Sequence, residues 1–129
     1  MTWLAGLVVV MTGLWLVGFA LSIVVAPERA ARFLSGFASS ARAHYTEQVL
    51  RLIAGTAIVI FAAQMRFSDA FRIFGWIIVV TTSGLLLIPW QWHHRFGQWA
   101  IPLAIRHIKL YALGAFVLGA FMLYAVLPQ

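Results

Sequence analysis

Four residues at the head of the second apolar run have the types and spacing for chemistry. His44, Glu47, Gln48 and Arg51 recur at i, i+3, i+4 and i+7, which is one face of a helix. An imidazole and a carboxylate one turn apart are used by metal sites and by general acid–base catalysts. Glu47 stands four residues before Arg51, the favourable order for an ion pair, worth ~0.2–0.5 kcal/mol on a water-exposed helix. Two readings stand side by side. The row forms a polar pocket at the mouth of a bundle, or it is a first turn that stays solvated. A row this polar beside lipid needs partners.

His93, His94 and His107 add three more imidazoles. Four on one side of a small fold could meet around a transition metal. The spacings H-x-x-x-H and H-E-x-x-H are both absent, so no metal and no cofactor are expected. No histidine lies deep in an apolar run, which argues against a haem held by two of them. The chain has no cysteine, so disulfides, thiolate-bound zinc and iron–sulfur clusters are excluded. The candidate polar pocket is thus His44, Glu47, Gln48, Arg51, His93 and His94. No residue is assigned a catalytic role.

The elements that must hold these residues are apolar. The 129 residues are 64% hydrophobic and 9% charged, with a mean hydropathy of +0.97. A soluble domain carries about 25% charged residues. This chain could not cover itself with polar surface, so a bilayer is the expected solvent. An all-α fold follows: an integral membrane four-helix bundle, one transmembrane domain over residues 1–129. The spans are expected at about 3–26, 49–66, 70–89 and 110–127. The N-terminal run lacks a basic leader and is longer than a signal sequence needs, so it reads as a retained span. The second span is short, and Arg51 and Arg66 are expected to extend toward headgroups.

Net charge is +6, from nine basic and three acidic residues. The basic residues are few and sit between apolar runs, which fits anionic headgroups rather than nucleic acid. Residues 27–51 hold Arg29, Arg32, Arg42 and Arg51, and residues 89–109 hold Arg95, Arg106 and Lys109. The connection between them in order, 66–72, has Arg66 and Arg72 alone. The positive-inside rule places the two long connections in the cytoplasm and both termini outside, in a bacterial-type inner membrane. In the short connection Ser68 is the expected N-cap of the third span, with Asp69 in its first turn.

The long connections read as interfacial segments, about 27–47 and 90–108. In the first, Ala30, Phe33, Leu34 and Phe37 share a helical stripe, with Arg29 and Arg32 opposite. In the second, Trp92, Phe96, Trp99 and Leu103 share one, and Pro102 is expected to bend or restart the helix. Tryptophan favours headgroup depth because its ring is apolar and its N–H polar. Lipid-headgroup contacts are therefore expected at Arg29, Arg32, Arg95, Arg106, Lys109, Trp92 and Trp99. "VVAPERAARFLSGFA" also lies against "LLIPWQWHHRFGQWA", so 1–66 and 67–129 read as possible tandem repeats of span, surface segment and span.

No ionisable residue is expected in the middle of a span, which argues against ion-coupled transport. Gly18, Ser22 and Ala26, and likewise Ala115 and Gly119, form small-residue faces that either close the bundle or dock another membrane protein. Thr82 is among the hydroxyls that can bond their own helix or a neighbour. In size and span count the chain resembles the small multidrug transporters and the DoxX-like proteins. The former need a glutamate in the first span, and here Glu28 follows that span. Span count alone carries no function.

Three functions fit. The first is a non-catalytic accessory, scaffold or assembly subunit acting through helix packing and headgroup contacts. Its partners would be membrane lipids, with another membrane protein or a second copy as the further candidates. The second is a carrier or binder of a lipid or other apolar molecule with a polar cytoplasmic mouth. The third is a small membrane enzyme using cytoplasmic-face His and Glu.

Overall fold

The computed structural model describes residues 2–36 and 40–128, with the backbone alone at His93. Among them the regular structure is entirely helical. The elements are α1 (Thr2–Val25), α2 (Pro27–Gly36), α3 (Ala41–Phe61, prolonged by a 3-10 turn Ala62–Gln64), α4 (Ser68–Leu87), α5 (Trp90–Arg106) and α6 (Ile108–Val126). α1, α3 with its turn, α4 and α6 are long and apolar enough to cross a membrane. The short α2 and α5 lie in the long connections.

Proline sets two of the boundaries. Pro27 and Pro89 each follow a long apolar helix and open a short one. A proline disfavours the helical region for the residue before it, and its own fixed φ suits a helix start. Ser40 starts α3. Its backbone is extended (φ −154, ψ 163), and its hydroxyl accepts from the Ala43 N–H at 3.1 Å. That cap makes residues 41–47 part of the long helix, where the sequence pattern placed them in a surface segment.

Two further boundaries differ from expectation. Ser68 is the first residue of α4, and the N-cap is Phe67, in the left-handed region at φ 58, ψ 44. Residues 65–67 must reverse the chain between two packed helices, and Phe67 takes the reversing conformation. Its ring then meets Phe121 of α6 at 5.3 Å. Asp69 does lie in the first turn. Pro102 does not restart α5, which runs through it as one helix.

α1 packs along α6, α3 packs along α4, and α1 also lies against α3. Glycines mark the two close pairs. A methyl group on Gly119 would stand 2.8 Å from the Gly13 carbonyl oxygen. One on Gly75 would stand 3.0 Å from the Gly55 carbonyl oxygen. Backbones therefore touch at both crossings, as small residues allow between apolar helices. The expected face Gly18–Ser22–Ala26 is not used this way. Gly18 has nothing within 4 Å of where a methyl would be, and Ser22 is exposed. The α1 packing face runs instead through Gly6, Gly13 and Ala20. In α6, Gly119 is used, and Ala115 packs against the second core cluster.

The two ends of the molecule differ. At the hairpin end, where α3 turns into α4, all four long helices share a core of Ala5, Val9, Ala57, Ile58, Ala62, Met65, Phe71, Met122 and Ala125. Arg66 was expected to reach toward headgroups. Its guanidinium lies over the half-exposed Tyr124 ring at 5.2 Å, and its Nη2 donates to the Pro128 carbonyl at 3.0 Å in an exposed hydrogen bond. At the other end, here the connection end, Ala20, Ile23, Ala30 and Ala112 join α1, α2 and α6. There α3 and α4 contribute polar residues.

Candidate functional site

The polar row begins with His44 and Gln48, which are 1% and 0% exposed. Both lie on the face of α3 that continues into Gly55 and Ile58, the face packed on neighbouring helices. On the flank of the same helix, Arg51 Nη1 stands 3.7 Å from Glu47 Oε1. Their side chains are 40% and 25% exposed. From α4, Thr82 follows Phe71 and Gly75 along the face turned to α3, and it is 0% exposed. From α6, Tyr111 lies within electrostatic reach of Glu47 and Arg51. Its ring meets Phe19 of α1 edge-on at 6.1 Å.

Depth can be gauged against α1, which carries no charge from end to end. Gly6 of α1 packs on the Phe61 ring of α3, and the two helices are antiparallel. Equal rise along both then sets Arg51 level with Leu16 and His44 level with Ile23. The row lies beside the second half of α1 rather than past its end. Arg51 falls near the middle of the candidate span Ala41–Gln64. Within the row His44 and Gln48 are buried against protein, while Glu47 and Arg51 stay partly exposed. α3 starts at Ala41 behind the Ser40 cap, so all four residues lie on the long helix.

Hydrogen bonding in the row is incomplete. Gln48 is buried with neither its Oε1 nor its Nε2 bonded, and Thr82 Oγ1 likewise has no partner. Other hydroxyls on the long helices bond back to their own backbone: Thr12 to the Val8 carbonyl at 2.8 Å, Thr46 to Arg42 at 2.8 Å, Thr81 to Ile77 at 2.6 Å. Thr82 does not, nor does it bond a neighbour. A buried polar group left unpaired costs about 1–3 kcal/mol, so such groups call for an explanation.

Of the six residues expected in a pocket, α3 brings four together. His94 is half-buried on α5, with its Nε2 3.2 Å from Gln98 Nε2 and its ring against Trp90 at 5.5 Å. The side chain of His93 lies outside the described residues. No three His, Asp or Glu side chains among the described residues are placed to hold a metal ion.

α5 presents a second feature. Trp92, Phe96, Trp99 and Leu103 point away from the protein, with the three rings 61%, 60% and 67% exposed. Trp90, His94, Gly97 and Ile101 make its more buried side. Arg95, Arg106 and Lys109 are exposed beside the outward rings, and Arg29, Arg32 and Arg42 are exposed at the same end. A groove between α2 and α3 is lined by Arg32, Phe33, Ser40, Arg42 and Thr46. In α2, Ala30 is buried and Phe33 leans on Phe19 at 5.5 Å, so part of its stripe faces protein. Phe37 lies outside the described residues.

No protein-family model matches this chain, and no curated protein or solved structure does either.

The site therefore stands on its own geometry. Thr82, Tyr111 and Arg66 are the residues that sequence reasoning left unassigned to any site. Thr82 had a signal: it continues the spacing of Phe71 and Gly75, so it had to face α3. Tyr111 and Arg66 had none, because their partners come from distant parts of the chain.

Proposed function

We propose that the chain is a small, non-catalytic, multi-pass inner-membrane protein, an accessory, scaffold or assembly subunit that works through helix packing and headgroup contacts. Both termini lie outside, and α2 and α5 lie along the cytoplasmic headgroup layer. With Arg51 drawn into α3, the connection end keeps Arg29, Arg32, Arg42, Arg95, Arg106 and Lys109 against Arg66 and Arg72 at the other, so the basic bias keeps its sign. The element order long–short–long occurs twice, which supports reading 1–66 and 67–129 as two copies of one unit.

The observation that carries this reading is the outward face of α5. Three exposed aromatic rings in one stripe, at the end of four apolar helices and beside exposed cations, have one favourable setting. The rings enter the acyl boundary and the cations meet phosphate. Each cation near an anionic surface adds about 1 kcal/mol. The test is tryptophan quenching by brominated lipids, on variants keeping only Trp92 or only Trp99 of the six tryptophans. Bromines near the glycerol should quench strongly and chain-end bromines weakly. Full quenching by aqueous iodide, with none by any bromolipid, would make α5 a solvated arm and overturn the reading.

A second reading has its own support. The unpaired Gln48 amide and Thr82 hydroxyl favour a binder of an amphiphilic molecule over a purely structural subunit.

A further inference from the structure

The groove between α2 and α3 gathers cations without an anion. Arg32 of α2 and Arg42 of α3 both line it, and it holds about 470 Å³, within the ~300–1,000 Å³ of small-molecule sites. Among the described residues no carboxylate lines it. The ion pairs among those residues are Glu47–Arg51 and Asp69–Arg72, so neither groove guanidinium has one. Two like charges facing one space repel, and an anion between them turns repulsion into attraction. Each guanidinium presents a planar fork of N–H groups that fits phosphate oxygens in pairs. Ser40, also on the groove, accepts from the Ala43 N–H and can donate its own proton. α3 begins here, so the positive end of its dipole adds to the two charges.

The groove also has an apolar exit. Phe33 lines it and packs on Phe19 of α1 at 5.5 Å. Phe19 in turn stacks on Trp15 at 5.3 Å, one turn nearer the middle of α1. Trp15 and Phe33 are 51% and 47% exposed. A run of rings therefore leads from the cations down the side of an apolar span. A free phosphate has no use for those rings, whereas an amphiphile with an anionic head uses both parts.

We propose that this groove is a site for one anionic lipid, with its phosphate between Arg32 and Arg42 and an acyl chain along Phe33, Phe19 and Trp15. The proposal deepens the headgroup reading above and rests on it. A general basic bias attracts any anionic surface and selects no single molecule, whereas a groove between two helices holds one. Phosphatidylcholine is a poorer match, because its trimethylammonium group would sit beside two like charges.

The test uses the full chain, stripped of lipid in maltoside micelles. Dioleoyl phosphatidylglycerol and dioleoyl phosphatidylcholine are offered separately, and native mass spectrometry counts what each chain keeps. The wild type should keep one phosphatidylglycerol per chain and far less phosphatidylcholine. Arg32→Gln and Arg42→Gln should each weaken retention about tenfold, since each removes hydrogen bonds to a charged group. Arg72→Gln takes the same charge from the hairpin end and should change nothing. Phe33→Ala breaks the run of rings and should weaken retention several-fold. Glycerol 3-phosphate at the lipid's concentration should not displace it; displacement would overturn the lipid and make the ligand a soluble phosphate. Far-UV circular dichroism checks that each variant stays helical. Equal retention of the two lipids, or helical arginine variants that keep as much as the wild type, would overturn the groove and leave the membrane reading, tested on α5, intact. A chain that stays in solution without detergent would overturn both.

Discussion

At the hairpin end, four helices close on small and apolar side chains, and the charged residue there, Arg66, is anchored on a ring and a carbonyl. At the connection end, α1, α2 and α6 close on an apolar cluster of their own, while α3 and α4 bury His44, Gln48 and Thr82. The two ends are built from the same helices, a few turns apart. At the first, Arg66 makes two internal contacts but leaves its buried Nε without a hydrogen bond. The other leaves an amide and a hydroxyl unbonded and an ion pair half-exposed.

That contrast can be broken by substitutions of opposite sign. The largest effect is expected from Ile58→Ala, which opens a hole in the four-helix core where Ile58 is 1% exposed. Between apolar helices the transfer term is small and the lost packing dominates, so the loss should fall near the low end for such truncations, about 2 kcal/mol. Unfolding followed by circular dichroism in mixed micelles would read it. A loss below half that would mean the end is loosely packed.

Next comes Arg66→Gln. It removes a charge-assisted hydrogen bond and a cation–π contact, in a partly exposed place, for about 1.5 kcal/mol in the same assay. Amide hydrogen exchange in the last turn of α6 should rise with it. Unchanged exchange there would show that Arg66 does not hold that turn.

The smallest effect has the reverse sign. Gln48→Met keeps the side-chain volume and removes an unpaired amide. The lipid-free protein should gain about 1 kcal/mol. A loss instead would mean that Gln48 is bonded in the empty protein, and the two ends would then be alike.

Much of this was legible in the residues. The charge-free runs, all of α1, α4 beyond Arg72 and α6 beyond Lys109, mark the long helices, and Pro27 and Pro89 fix where α2 and α5 begin. The outward stripe of α5 is written in the spacing of Trp92, Phe96, Trp99 and Leu103. The row His44–Glu47–Gln48–Arg51 was also visible as a row. Its depth was not. Depth depends on whether 41–47 joins α3, and a single hydroxyl at Ser40 decides that. The choice of packing face was hidden for a different reason. Gly18–Ser22–Ala26 and Gly6–Gly13–Ala20 are both small, and only the partner helix selects between them. Phe67 was illegible as a cap because it caps with its backbone conformation and not with its side chain.

The Arg66 anchor has a consequence for the order in which the molecule is made. Its acceptor, the Pro128 carbonyl, lies 62 residues further along the chain. A ribosome adding about 5–20 residues each second delivers that oxygen roughly 3–12 s after Arg66 itself. Until then α3 and α4 can pair as a hairpin, since their glycine crossing needs no later residue. The α1 groove around Gly13 stays open to whatever lies beside it. During that interval the guanidinium must find water, a phosphate or another protein's carbonyl. The hairpin end thus gains this anchor long after Arg66 is made, and a chain cut just before Pro128 would retain its long helices and lose that contact.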